Sequence, residues 1–147
     1  MKKRIGFTAV GLIVLGLAAV RSKALQIERG PAEFGLIGVT AFETARLNAF
    51  CSSDPSVPPG PCAVSFEFLD IGGRTLKQTT MTLQPDTGGF LDLRPVEAGL
   101  TSNRLTVLAR LRVGRGGAIA PLEVFDNSTG RTSIFAHPGT LLLPAVQ

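Results

Sequence analysis

Apolar residues recur at every second position through most of this chain, and Gly, Pro, Asn and Asp interrupt the alternation about every ten residues. Asn103 to Val113 alternates most regularly, with Leu105, Val107, Ala109, Leu111 and Val113 on one face. Arg104, Thr106, Arg110 and Arg112 occupy the other, so one face is buried and the other is wet. Cys62 to Asp70 repeats the pattern, with Val64, Phe66 and Phe68 inward and Ser65 and Glu67 outward. Thr44 to Phe50 places Ala45, Leu47 and Ala49 on one face. Phe34 to Thr40, Phe90 to Arg94, Ala120 to Asp126 and Arg131 to Ala136 read as further strands, and Leu141 to Leu143 as a last short one. Arg74 to Gln84 changes parity between Leu76 and the Met81, Leu83 pair, which predicts a β-bulge near Gln78 to Thr80.

Seven or eight short strands at this spacing, with almost no helical periodicity, predict an all-β fold: an immunoglobulin-like antiparallel β-sandwich. Val64, Phe66, Phe68, Leu105, Val107, Leu111 and Val124 are its expected core. The antibody hallmarks are missing. There is no Trp and no Tyr, and Cys51 and Cys62 stand too close in sequence to suggest a bridge between two sheets. Two hairpins share a pattern. Phe66 to Asp70 and Leu122 to Asp126 match in type, and each is followed by Gly-Arg-Thr, at Gly73 to Thr75 and Gly130 to Thr132. Shared turn chemistry accounts for this, since a repeat architecture needs at least three copies.

The first residues break the alternation. Lys2, Lys3 and Arg4 precede an apolar run from Ile5 to Val20, and Ser22-Lys23-Ala24 follows with small residues where a signal peptidase needs them. Residues 1–24 are therefore expected to be a signal peptide and residues 25–147 a single β-sandwich domain. The apolar run is short for a span, which takes about 20 residues, so no membrane span is expected after cleavage. Gly6-Phe7-Thr8 resembles a type IV prepilin leader, but Gly11 stands where that family wants a glutamate, and Gly30-Pro31 would break its long helix.

Removing the leader reverses the charge. Of the 15 basic residues, five lie in it (Lys2, Lys3, Arg4, Arg21, Lys23), and none of the 11 acids does, so the remainder carries 10 − 11 = −1. A basic footprint for nucleic acid is absent, and none is expected as a partner. In an oxidising compartment Cys51 and Cys62 are expected to pair, closing a loop that contains four of the chain's prolines. A zinc site needs more Cys or His ligands than these two cysteines and one histidine supply.

Candidate chemistry is thin. His137, the one histidine, precedes Pro138 without a nucleophile elbow anywhere in the chain, so it reads as a turn residue. Glu67 and Glu123 hold matching places in two similar strands and would do acid–base work only if they met across a cleft. Asp126-Asn127-Ser128-Thr129-Gly130 offers oxygens in a tight loop, but one carboxylate makes a poor calcium site, and Asp and Asn in turns bond their own backbone. Arg104, Arg110 and Arg112 line one wet face, either as a solvated surface paired with neighbouring acids or as an interaction face for an acidic partner. Most of the eight phenylalanines after the leader are expected in the core. With no exposed Trp or Tyr, that weighs against sugar binding.

Thr44-Ala45-Arg46-Leu47-Asn48, Pro61-Cys62-Ala63-Val64 running to Phe68-Leu69-Asp70, and Leu122-Glu123-Val124-Phe125-Asp126-Asn127 with Thr129-Gly130-Arg131-Thr132 together resemble a group of small exported bacterial β-sandwich proteins of unknown function. The resemblance implies the fold and export, and brings no activity, cofactor or functional residue. The expectation is a non-enzymatic exported module of the cell envelope or extracellular space, structural or binding a protein or envelope partner, with a self-assembling subunit of a surface fibre or adhesive, pilus-like appendage as the alternative. The exported protein should begin at Leu25. Its intact mass checks this, and a mass that includes Met1 to Ala24 would show a retained leader.

Overall fold

The computed structural model describes residues 26–53, 60–99, 104–136 and 140–143. The leader, most of the proline loop, Asn103 and His137 lie outside them. The strands are β1 (Gln26–Arg29), β2 (Ala32–Thr40), β3 (Glu43–Cys51), β4 (Cys62–Asp70), β5 (Thr75–Leu83), β6 (Gly88–Leu93), β7 (Arg104–Arg115), β8 (Ala118–Ile119), β9 (Leu122–Asp126), β10 (Thr132–Ala136) and β11 (Thr140–Leu143). A short 3-10 turn, Pro95–Ala98, follows β6.

Alternation places these strands in two layers. The first sheet centres on β3, which has β6 on one side and β8 and β9 on the other. Beyond them β9 pairs with β10, β8 with β11, and β11 with β1 in parallel. The second sheet runs β2-β7-β4-β5, antiparallel throughout. Among the described residues, β1 and β2 are separated only by Gly30-Pro31, and β8 and β9 only by Ala120-Pro121. Proline lacks the amide a ladder needs, so Pro31 and Pro121 fall at breaks. The four-residue β1 is too short for alternation to announce it.

The inner faces form one core. Val64, Phe66, Phe68, Leu105, Val107, Leu111 and Val124 are all buried, as their parity predicts, and Leu47, Leu93, Leu122 and Val39 join them from the facing strands. Deleting a buried Phe typically costs about 3–5 kcal/mol, so Phe66 and Phe68 carry a large part of a domain's usual margin.

Two sequence expectations are corrected. The parity change in β5 falls earlier than Gln78 to Thr80. Those residues pair in unbroken register with Glu67, Phe66 and Ser65. The slip lies between Phe68–Lys77 and Leu69–Thr75, which leaves Leu76 without a partner and turns both Leu76 and Lys77 inward. Lys77 resolves this at the sheet edge by reaching Glu97 at 2.6 Å, and an inward charge of this kind also blocks edge-to-edge pairing.

The cysteines do join the two sheets. Cys51 ends β3 in one layer and Cys62 opens β4 in the other, and their Cα atoms are 5.6 Å apart in a disulfide. Proximity in sequence misleads here because the proline loop between them is the crossover. The β7–β8 crossover packs on the same bond. Gly116 has φ +77°, and a Cβ there would come within 2.9 Å of Cys62 Sγ. Cys62 Sγ lies 3.0 Å from the Gly117 carbonyl, and Ser52 N donates to that carbonyl at 2.9 Å.

Cys51→Ser should destabilise the oxidised protein by about 3 kcal/mol, the chain-entropy value for a loop of this length. Denaturant unfolding with and without reductant checks it. The variant and wild type should differ only without reductant.

Candidate functional site

The outer face of the β3 sheet carries an aromatic cluster around one arginine. Register sets Arg46 directly between Asp92 on β6 and Glu123 on β9, with Phe90 and Phe125 diagonal to it. Arg46 donates to both Asp92 oxygens, from Nε at 2.7 Å and from an Nη nitrogen at 2.8 Å. Its guanidinium carbon lies 4.2 Å from the Phe90 ring centre and 5.0 Å from that of Phe125. Asp92, aided by Glu123, raises the Arg46 pKa above its ordinary value. Asn48 Nδ2 donates to Glu123 at 3.4 Å. A bidentate carboxylate and two π faces hold the Arg46 cation in position on this surface.

Phe50, at 43% exposure, and Phe135, at 64%, extend the cluster, and Phe90 itself is 50% exposed. Phe50 and Phe90 wall a shallow depression floored by Gly88, Gly89, Asn48 and Pro121. A second depression beyond Arg46 is lined by Thr44, Asp92, Phe125, Asp126 and Asn127.

This corrects the expectation that most phenylalanines are core. Phe66 and Phe68 are fully buried and Phe34 packs against the core, whereas Phe42, Phe50, Phe90, Phe125 and Phe135 face outward. Parity carries the signal. Phe50 is out of phase with Ala45, Leu47 and Ala49, Phe90 with Leu91 and Leu93, and Phe125 with Leu122 and Val124. The absence of Trp and Tyr therefore does not leave the surface without exposed rings.

The arginine strand lies on the opposite side of the molecule, along the outer face of β7. Arg110 sits between Glu33 of β2 at 2.7 Å and Glu67 of β4 at 3.3 Å. Arg104 lies flat across β2, where a Cβ on Gly38 would overlap its guanidinium. Arg112 is exposed and makes no salt bridge among the described residues. The three candidates thus share a face but differ in state, and Arg110 is the one enclosed by acids. A row of leucines, Leu36, Leu108 and Leu69, runs across this face between Arg104 and Arg110.

Glu67 and Glu123 lie on opposite outer faces with the core between them, so they form no acid–base pair. Asp126 serves its own turn. Its Oδ1 accepts from Ser128 N at 2.9 Å, Ser128 Oγ at 2.6 Å, Thr129 N at 2.8 Å and Thr129 Oγ1 at 3.0 Å. Gly130 takes the left-handed conformation at φ +70°. The Asp70 turn repeats this chemistry, with Asp70 Oδ1 accepting from Gly72 N and Arg74 N, both at 2.9 Å. Among the described residues no group of three or more His, Cys, Asp or Glu side chains converges as a metal site. No protein family, curated protein or solved structure matches this chain.

The Asp126 turn yields a pH prediction. Hydrogen bonds from Ser128 and Thr129 lower the carboxyl pKa from its usual 3.8 to about 2. A native pKa below the unfolded one means the ionised group favours the fold. That contribution is present above about pH 3.8 and is lost as pH falls through about 2. An NMR titration of the Asp126 carboxyl checks the value, and Asp126→Asn should remove this limb from the acid unfolding curve.

Proposed function

We propose that this chain is a non-enzymatic exported β-sandwich of the cell envelope or extracellular space that binds a protein partner through the outer face of its β3 sheet. The observation that carries the reading is the cluster of Phe50, Phe90, Phe125 and Phe135 around the clamped Arg46. Protein interfaces favour aromatic residues and Arg, and this face has both, with Asp92, Glu123 and Asn48 set among the rings. The disulfide agrees with an oxidising compartment. The sequence resemblance to small exported bacterial β-sandwich proteins supports the same placement.

A second reading, subunit of a surface fibre, has one observation behind it. Strand β10 ends the path of the first sheet, and Thr132 to Ala136 carries neither charge nor proline. An edge without such guards accepts another strand.

A photo-reactive residue at Asn48, central on the aromatic face, should give a covalent adduct with a second polypeptide in intact cells. The same group at Gln78, on the outer face of the other sheet, should give none. Phe90→Ser in the Asn48-labelled protein should abolish the adduct. No adduct at Asn48, or equal adducts from both faces, overturns the proposal. An adduct of twice the chain mass would make the partner a second copy and favour the fibre.

A further inference from the structure

The two ends of the sandwich differ. Cys51, Cys62, Gly116 and Gly117 gather at one pole. At the other, three turns each lift one large apolar side chain into solvent. Phe42, in the β2–β3 turn, is 77% exposed, and Ile71, in the β4–β5 turn, and Val96, in the 3-10 turn after β6, are each 76% exposed. Among the described residues these are the exposed large hydrophobics that belong to no strand, since Leu36, Phe50, Phe90 and Phe135 all lie in ladders.

Register places the three together. Strand β3 enters from this pole at Glu43, opposite Asp126, and leaves at Cys51. β4 starts at the disulfide and arrives here at Asp70, while β6 starts opposite Phe50 and arrives at Leu93, opposite Ala45. The turns touch one another. Asn127 N donates to the Phe42 carbonyl at 2.9 Å, and Ile71 shares a cleft with Arg74, Ala98, Gly99 and Arg104.

The acids at this pole are engaged by donors of the protein itself. Asp70 and Asp126 accept from their own turns, Glu43 accepts from Thr40 N and Ser133, and Glu97 pairs with Lys77. The pole's arginines are more open to solvent. Arg74 keeps a side chain that is 75% exposed despite its contact with Asp70, and Arg94 and Arg131 are exposed and form no salt bridge among the described residues.

We propose that this pole docks on an anionic lipid bilayer, with Phe42, Ile71 and Val96 entering the interface and Arg74, Arg94 and Arg131 against the headgroup phosphates. Three apolar points on separate turns, with charged groups between them, do not make the contiguous desolvated centre of a protein hot spot. A fluid interface accepts separated side chains at once, gaining from each buried apolar group and from each cation near anionic lipid. Such docking needs no span, and among the described residues no helix is long and apolar enough to cross a membrane. Arg94 also lines the depression beyond Arg46, but Phe42, Ile71 and Val96 belong to no part of the aromatic face, so their variants test this reading separately.

The exported protein should float with vesicles of phosphatidylethanolamine and phosphatidylglycerol. Each of Phe42→Ser, Ile71→Ser and Val96→Ser should weaken the partition about tenfold, the effect of withholding one such side chain from an apolar phase. The triple variant should stay in the aqueous fraction with an unchanged melting temperature, because all three side chains are already in water in the free protein. Leu36→Ser, which removes an exposed leucine from the side of the sandwich, should bind as wild type. Failure of wild type to bind, or binding by the triple variant, overturns the proposal. Equal binding to phosphatidylcholine alone would overturn the role given to the arginines.

Discussion

One covalent bond sets the geometry of the whole sandwich. Cys51 and Cys62 end one strand and begin the next in opposite layers, so the disulfide fixes the separation of the sheets at that pole. The second crossover must then pass over the sulfurs. Gly116 is required there twice, because its φ of +77° disfavours any side chain and because Cys62 occupies the space a Cβ would take. From this fixed end the alternation propagates inward packing through β3, β4 and β7, and the register of those strands decides which side chains meet on each outer face.

Much of this was legible in the sequence because period two is a strong signal where one face is apolar. The inward set of β4 and β7 followed directly from parity, and the Asp126 turn followed from the chemistry of Asp, Ser, Thr and Gly. The disulfide partners were legible, but their role was not, since spacing along the chain does not say in which layer each strand lies. The slip at Leu76 was misplaced because threonines carry little facial preference, so Gln78 to Thr82 could be phased either way.

The aromatic face was missed for a different reason. Phenylalanine is apolar by type and was assigned to the core by type, against the parity of its own strands. Strand parity turns Phe90 and Phe125 outward, and Arg46 covers ring area that water would otherwise meet, its own charge balanced by Asp92. The arginines Arg104, Arg110 and Arg112 stood out more clearly in the sequence, yet Arg110 lies between two acids and Arg104 along a glycine backbone. A side chain's prominence in a sequence measures its spacing, whereas its availability depends on neighbours from distant strands.

The pairing of β1 with β11 joins Gln26 to Thr140, in the first and last of the described strands. The central β3 likewise waits for β8 and β9, which follow it by some seventy residues. The first sheet is therefore complete only when nearly all of its strands are available, and long-range strand pairing of this kind forms slowly. For the export proposed above, which would thread the polypeptide through a membrane in extended form, that delay would be protective. The chain would stay unfolded until its last strand had passed, and oxidation of Cys51 and Cys62 would follow on the far side.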